Sequence, residues 1–441
     1  MALVDKKEGG WTPASRTLRQ FGLTAHWIAV FAFGRDPKRL KHDARKTRMT
    51  ATDSMDTEVH TPLTLYGAPV GLWTGKIRSY LRKQGIPYIE RLPTDPVFQS
   101  EVMPAVKRFI NPVIRFADGT LVQDTAAIID YLEHNGHARF SVYPPKPLQN
   151  TVARALDLFG GEGLVRAAMH YRWSYRDYNE SFLRHEFGLA YRAAGISQKA
   201  IDQQLDGFMG YLNAYLPKLG ITGVTMAAVE SAYEELLAAL DAHLRLYPYL
   251  LGGQPTIADF GFIANLFAHL GRDPYPADLM KRKAPSVYRW TERMMANDPD
   301  IPEFPHSEFA LSNDDEVPAT LSPVLKLMAQ DYLPELKMAV SFTDDWLAQQ
   351  GVVPPGTVTG GKPSVRTIGQ GTFTMRGVQL DTMVWPYTLS RLQCVTDSYE
   401  HATVADQTRV HAYFEAQGLA ELLSLKASRR VEHREHVEVW V

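Results

Sequence analysis

Residues 111–133 read NPVIRFADGTLVQDTAAIIDYLE, and no other stretch limits the fold of this chain so much. Val113, Ile114 and Phe116 predict a short apolar strand. Asp118-Gly119 predicts a two-residue hairpin turn, and Leu121-Val122 starts the return strand. Asp124 and Thr125 are N-cap residues for a helix in which Ile128, Ile129 and Leu132 recur at helical spacing. Proline has no N–H to give to a ladder, so Pro112 belongs at the first residue of its strand or on an edge. The stretch therefore reads strand, turn, strand, capped helix, with an irregular backbone at its entrance. Such an entrance is a candidate binding edge.

Composition narrows the function classes. Apolar residues make up 45 % of the chain and charged residues 22 %, the balance of a globular protein with ample core. A net charge of −2 argues against a dedicated nucleic-acid binder, which would carry a strongly basic domain. Cys394 is the only cysteine, so an intramolecular disulfide, a Cys-x-x-Cys redox pair and a thiolate zinc site are all excluded. A reducing, cytoplasmic setting is expected. The first 50 residues differ, with eleven Lys or Arg against four acids. Their apolar stretch, 21–34, is too short to span a bilayer at about 20 residues per crossing, and a basic run follows it in place of a cleavage site. Residues 1–60 read as a basic, poorly ordered extension, with Met49 and Met55 as alternative starts and a membrane-surface arm as the other reading.

The rest divides into units. Residues 61–140 carry the order β-α-β, a loosely helical connector, then β-β-α, which matches a thioredoxin-like domain. Its first helix, TGKIRSYLRKQG, closes at Gly85. Residues 141–300 show helical periodicity and no strand, with runs at 147–170, 197–216, 225–246, 257–270 and 285–296, as expected of an all-α bundle. An acidic, Pro-rich linker follows at 301–321. Residues 322–441 form an α+β module, with helices near 322–349, 387–400 and 404–425 and strands near 371–380 and 429–441 that are expected to pair in one sheet. The fold class is α+β multidomain.

Three segments then carry a resemblance. LYGAPVGLWTGKIRSYLRKQGIPY, the Asn111–Glu133 stretch and GGQPTIADFGFIANLF occur in an order and at spacings similar to the cytosolic glutathione S-transferase superfamily, over roughly residues 61–296. The resemblance implies a cis-proline at Pro112, with the main chain of Asn111 pairing with the cysteinyl part of glutathione. It implies that Asp124 and Thr125 hold the γ-glutamyl end, where a helix N-terminus suits a carboxylate. Without that context the same two residues are an ordinary N-cap. Thr256 and Asp259 match a capping box and are structural.

The implied chemistry is attack by glutathione thiolate on a hydrophobic electrophilic small molecule. The family places Tyr, Ser or Cys in the loop after the first strand to lower the thiol pKa, ordinarily about 8.5. Here that position falls on Gly71, which has no side chain. Thr74 is the candidate catalytic hydroxyl, or else an N-cap. Tyr66 reads as core, because a one-residue shift reverses the face of a strand. Trp73 is a candidate wall of the substrate pocket. Tyr171, Tyr175, Tyr178 and Phe182 would share one face of a helix over 170–182, as a second wall or as packing, with Met169 and Trp173 on the adjacent face. No metal site is expected, since strand alternation sends His433 and His436 to opposite faces. GGEG at 160–163 is expected to break a helix. The resemblance implies glutathione as cofactor and a homodimer whose usual interface the C-terminal addition can block or replace. A non-catalytic binding or assembly module is the alternative, and no nucleic acid or transmembrane segment is expected.

Overall fold

The computed structural model describes residues 62–441, so the basic extension and its apolar stretch lie outside the described residues. Four short strands, β1 (Leu63–Tyr66), β2 (Tyr88–Arg91), β3 (Val113–Arg115) and β4 (Leu121–Gln123), form one sheet in the order β2-β1-β3-β4. β1 runs parallel to β2, which requires a crossover, and antiparallel to β3, with Leu65 opposite Ile114. The crossover is α1 (Leu72–Gln84), which buries Ile77, Tyr80 and Leu81 completely. Gly85 ends it at φ 67°, a left-handed conformation that costs glycine little. The Asn111–Pro112 bond is cis. The β3–β4 connection has three residues, not two. The Phe116 N–H donates to the Thr120 carbonyl across Ala117–Gly119, and Gly119 takes the positive φ of 91° that such a loop needs. α2 (Thr125–His134) follows directly.

Next comes the all-α part. α3 (Pro147–Leu158) passes through a π-helical turn, Phe159–Gly163, into α4 (Val165–Trp173), so GGEG widens the helix and does not end it. Gly160 is needed there, since a Cβ would lie 2.6 Å from the Phe262 ring. The helix expected through 170–182 breaks at Tyr175 (φ −104°, ψ 41°), and α5 (Arg176–Ala193) starts anew. α6 (Gln198–Asn213), α7 (Met226–Leu244) and α8 (Ile257–Ala268) follow. They are succeeded by α9 (Pro274–Lys283) and α10 (Pro285–Met295). α9 and the part of α5 beyond residue 182 lie outside the expected helices: α5 is rich in charge and α9 opens on Pro-Tyr-Pro, so their apolar periodicity is weak. The capping box of α8 forms as expected, with the Asp259 carboxylate accepting the Thr256 N–H at 2.9 Å.

The linker is docked. Asp315, 2 % exposed, accepts the N–H groups of Leu148 and Gln149 and so caps α3. Beyond it, the long helix expected over 322–349 is two, α11 (Ser322–Asp331) and α12 (Leu333–Gln350), kinked at Tyr332 ahead of Pro334. β5 (Thr357–Val358) precedes β6 (Gly369–Met375) and β7 (Val378–Val384). The single strand expected at 371–380 is thus a hairpin, turned by Arg376-Gly377 with φ values of 50° and 79°. The C-terminal stretch turns likewise at Glu435-His436, between β8 (Val431–Arg434) and β9 (Val437–Trp440). The expected pairing of the two regions does not form. Each is satisfied locally, and the sheets are β6-β7 and β5-β9-β8. His433 sits on β8 and His436 in the turn, and no metal-binding group occurs among the described residues. α13 (Pro386–Glu400) and α14 (Val404–Ala416) pack on α3. One continuous apolar core runs from Leu63 to Trp440. No helix among the described residues is long and apolar enough to cross a membrane.

Candidate functional site

The start of α2 shapes one end of the site. Asp124 has φ 86° and ψ 137°, a costly conformation for a residue with a Cβ, and such strain concentrates at functional positions. Its carboxylate accepts the N–H groups of Ala126 (2.9 Å) and Ala127 (3.3 Å), which makes it the helix N-cap. Gly71 begins α1 with no side-chain cap. A Cβ at 71 would lie 3.3 Å from both the Ala68 carbonyl and the Thr74 hydroxyl, so even a small side chain would crowd its neighbours.

These pieces meet around a cavity of about 190 Å³. Asn111, Pro112, Asp124, Thr125, Gly71 and Trp73 all line it, so every residue expected at the glutathione end and one expected pocket residue come together. Thr74 does not line it. That side chain is fully buried, and its hydroxyl donates to Asn111 Oδ1 at 3.3 Å. Met169, Tyr171, Trp173 and Tyr175 do not line it either. Met169 and Trp173 belong to a core cluster with Val70 and Leu183, and Tyr171 is 1 % exposed in the main core. Tyr175 stacks on Tyr275 at 3.7 Å and donates to Glu230. The break at Tyr175 turns these rings into packing.

The far wall comes from the C-terminal module. Tyr332, Met338, Arg366, Trp385 and Tyr387 face the thioredoxin-like residues across the cavity. Arg366 donates to Glu438 Oε1 through Nη2 (2.8 Å) and Nε (3.2 Å), and its guanidinium lies 5.2 Å from the Tyr387 ring centroid. Arg108, three residues before Asn111, grips the same carboxylate at 2.8 and 3.3 Å and also donates to Gln123. Burial opposes ionisation of Glu438, but Arg366 and Arg108 outweigh it and hold the carboxyl far below its ordinary range. Tyr387 faces Asp124; burial, reinforced by that carboxylate, raises its hydroxyl well above the usual pKa. Sequence reasoning missed Arg366, Tyr387 and Glu438, because only the fold brings them here.

Glu162, in the π-helical turn, also lines the cavity, and its carboxylate has no hydrogen-bond or ion-pair partner among the described residues. π-helical turns recur at functional sites, and a carboxylate between glycines in an apolar run was the available signal. Burial pushes its carboxyl up from an ordinary 4.5 to about 7, against the pull of Arg366 and Lys76. The folded protein therefore keeps a proton that the unfolded chain releases near 4.5, and the resulting stability fades as pH rises through about 7. Glu162→Gln should leave stability unchanged near pH 4 and raise it by up to about 3 kcal/mol at pH 8. Urea midpoints at the two pH values check this, and equal midpoints for wild type and variant at pH 8 would contradict it.

Residues 65–139 match the family described as "Glutathione S-transferase, N-terminal domain", and residues 224–298 match "Glutathione S-transferase, C-terminal domain". Residues 65–298 belong to the glutathione S-transferase superfamily. No curated protein matches the chain. Among solved structures, the beta-etherase LigF from Sphingobium sp. strain SYK-6 is similar at 18 % identity, over 55 % of this chain and 98 % of that one, with a TM-score of 0.38. A glutathione S-transferase from Methylobacterium radiotolerans, solved in complex with glutathione sulfonate, matches at 18 % identity over 58 % of this chain and all (100 %) of its own, with a TM-score of 0.33. A third, GSTFuA3 from Phanerochaete chrysosporium, matches at 15 % identity over 54 % and 98 %, with a TM-score of 0.33. The glutathione S-transferase region contains the four-stranded sheet and most of the helices, and the module from α11 onward is an addition to it.

Proposed function

We propose that this protein binds glutathione in the cavity and uses its thiolate to attack or reduce a hydrophobic electrophilic small molecule. The observation that carries the reading is the convergence of the Asn111–Pro112 edge, the N-terminus of α2 and the uncapped start of α1 on one cavity. Asn111 offers its main chain to the cysteinyl part. Asp124 is spent on Ala126 and Ala127, so the Thr125 N–H and hydroxyl remain for the γ-glutamyl carboxylate, where the helix dipole favours a negative charge. The first-turn N–H groups of α1 do the same for the thiolate and lower its pKa below the usual value of about 8.5. Thr74 assists only when its hydroxyl turns away from Asn111. Trp73, Tyr332 and Trp385 form the apolar wall for the electrophile. A homodimer in the cytoplasm completes the reading.

Calorimetric titration with reduced glutathione tests it. Saturable binding is expected, with Thr125→Ala about tenfold weaker through the lost hydrogen bond. A wild-type chain that binds no glutathione would retire the reading. Gly71 favours a second reading, a glutathione-binding module without turnover, because no side chain at that position activates the sulfur. Turnover of a generic aromatic electrophile, lost in Thr74→Ala, separates the two.

A further inference from the structure

The C-terminal module lies outside the superfamily region, yet it supplies one wall of the cavity. Its charged members there are Glu335, which is paired with Arg166 at 2.8 Å, and Arg366, whose side chain is 16 % exposed. Two enclosed guanidiniums, Arg366 and Arg108, share the single Glu438 carboxylate, and Arg108 takes both oxygens of it. Arg366 meets only Oε1, through Nε and Nη2, so Nη1 has no hydrogen-bond partner among the described residues. A buried cation that only half-owns its anion is costly, and a ligand carboxylate relieves that cost. The other acids near Arg366 are not dedicated partners. Asp124 caps α2, and Glu162 makes no ion pair. Tyr387 supports the guanidinium from below and faces Asp124, which sets Arg366 opposite the start of α2.

We propose that Arg366 binds the γ-glutamyl carboxylate of glutathione together with the N-terminus of α2, so that the C-terminal module completes the binding site within one chain. The proposal rests on the glutathione reading above and adds a residue from outside the superfamily region. Arg366 is held in register by Glu438, and Glu438 is in turn fixed by Arg108, which ends the connector leading to Asn111. The two sides of the site are therefore tied through one carboxylate. An arginine suits this role better than a lysine, because its fork can keep Glu438 on one edge and still present Nη1 to the ligand.

The test uses the full chain and two ligands, reduced glutathione and 4-aminobutanoyl-cysteinylglycine, which keeps the ammonium group and lacks that carboxylate. Both are titrated by calorimetry into wild type, Arg366→Met and Arg366→Lys, the second ligand at millimolar concentration. Arg366→Met should weaken glutathione by about 10- to 100-fold, the worth of a charge-assisted hydrogen bond, and leave the truncated ligand within about twofold. Arg366→Lys should fall between wild type and Arg366→Met for glutathione alone. The Met variant leaves Glu438 paired with Arg108, so the module keeps its anchor, and an unchanged melting curve verifies this. Equal weakening of both ligands would mean that Arg366 only supports the wall, and unchanged glutathione affinity would remove it from the site. Either result overturns the proposal while the glutathione reading stands. Binding of neither ligand by wild type overturns both.

Discussion

Asp273→Ala should cost about 3–5 kcal/mol of stability, the usual penalty for stranding one member of a buried ion pair. Asp273 is fully buried and accepts from Arg172 through both oxygens, at 2.6 and 2.8 Å. Arg172, itself 2 % exposed, also donates to the Val70 carbonyl at 3.0 Å and to the Ala268 carbonyl at 3.2 Å. Without the carboxylate the guanidinium keeps its charge and has no anion within the core. Val70 adjoins Gly71, so the same substitution loosens the start of α1 at the edge of the cavity. Guanidinium-chloride unfolding measures the loss. A variant within about 1 kcal/mol of wild type would show that Arg172 reaches water or finds another acid.

Truncation after residue 300 should abolish folding of the glutathione S-transferase region. In the full chain Leu325, Met328 and Leu336 are completely buried, and they belong to the same apolar core as Leu156, Leu237 and Leu240 of the helical part. α11 packs on α7, and α13 and α14 cover α3, whose N-terminus is capped by Asp315. Each large apolar side chain returned to water costs about 1.5–3 kcal/mol. A handful of them exceeds the whole stability of a typical domain, about 5–15 kcal/mol. The expected product is aggregated, judged by size-exclusion chromatography and circular dichroism. A monodisperse fragment with cooperative unfolding would show instead that the superfamily region stands alone and that the module is a separable addition.

Much of the fold was legible because the deciding signals are local. The strand–turn–strand–helix stretch, Pro112 at the strand entrance, Asp124 as N-cap, Gly85 as helix stop and the Thr256/Asp259 box each depend on residues within a few positions of one another. The hairpins at Arg376-Gly377 and Glu435-His436 were missed, since neither carries the Asn-Gly or Asp-Gly signature that announces such a turn. The stripe from Tyr171 to Phe182 followed helical spacing, but spacing cannot show that the helix breaks at Tyr175.

The candidate site divides along the same line. Sequence alone determined the strand entrance at Pro112 and the helix start at Asp124 and Thr125, because these follow from backbone chemistry: a missing N–H at Pro112, and a helix N-terminus at Asp124 and Thr125. Tertiary structure decided which way Thr74 points, which aromatic rings become core, and what closes the cavity. Arg108 and Glu438 are 330 positions apart, and the residues of the far wall lie on a hairpin and helix ends with no common periodicity. A carboxylate shared between two such distant arginines leaves no local pattern, since burial and long-range charge pairing exist only once the chain has brought them together.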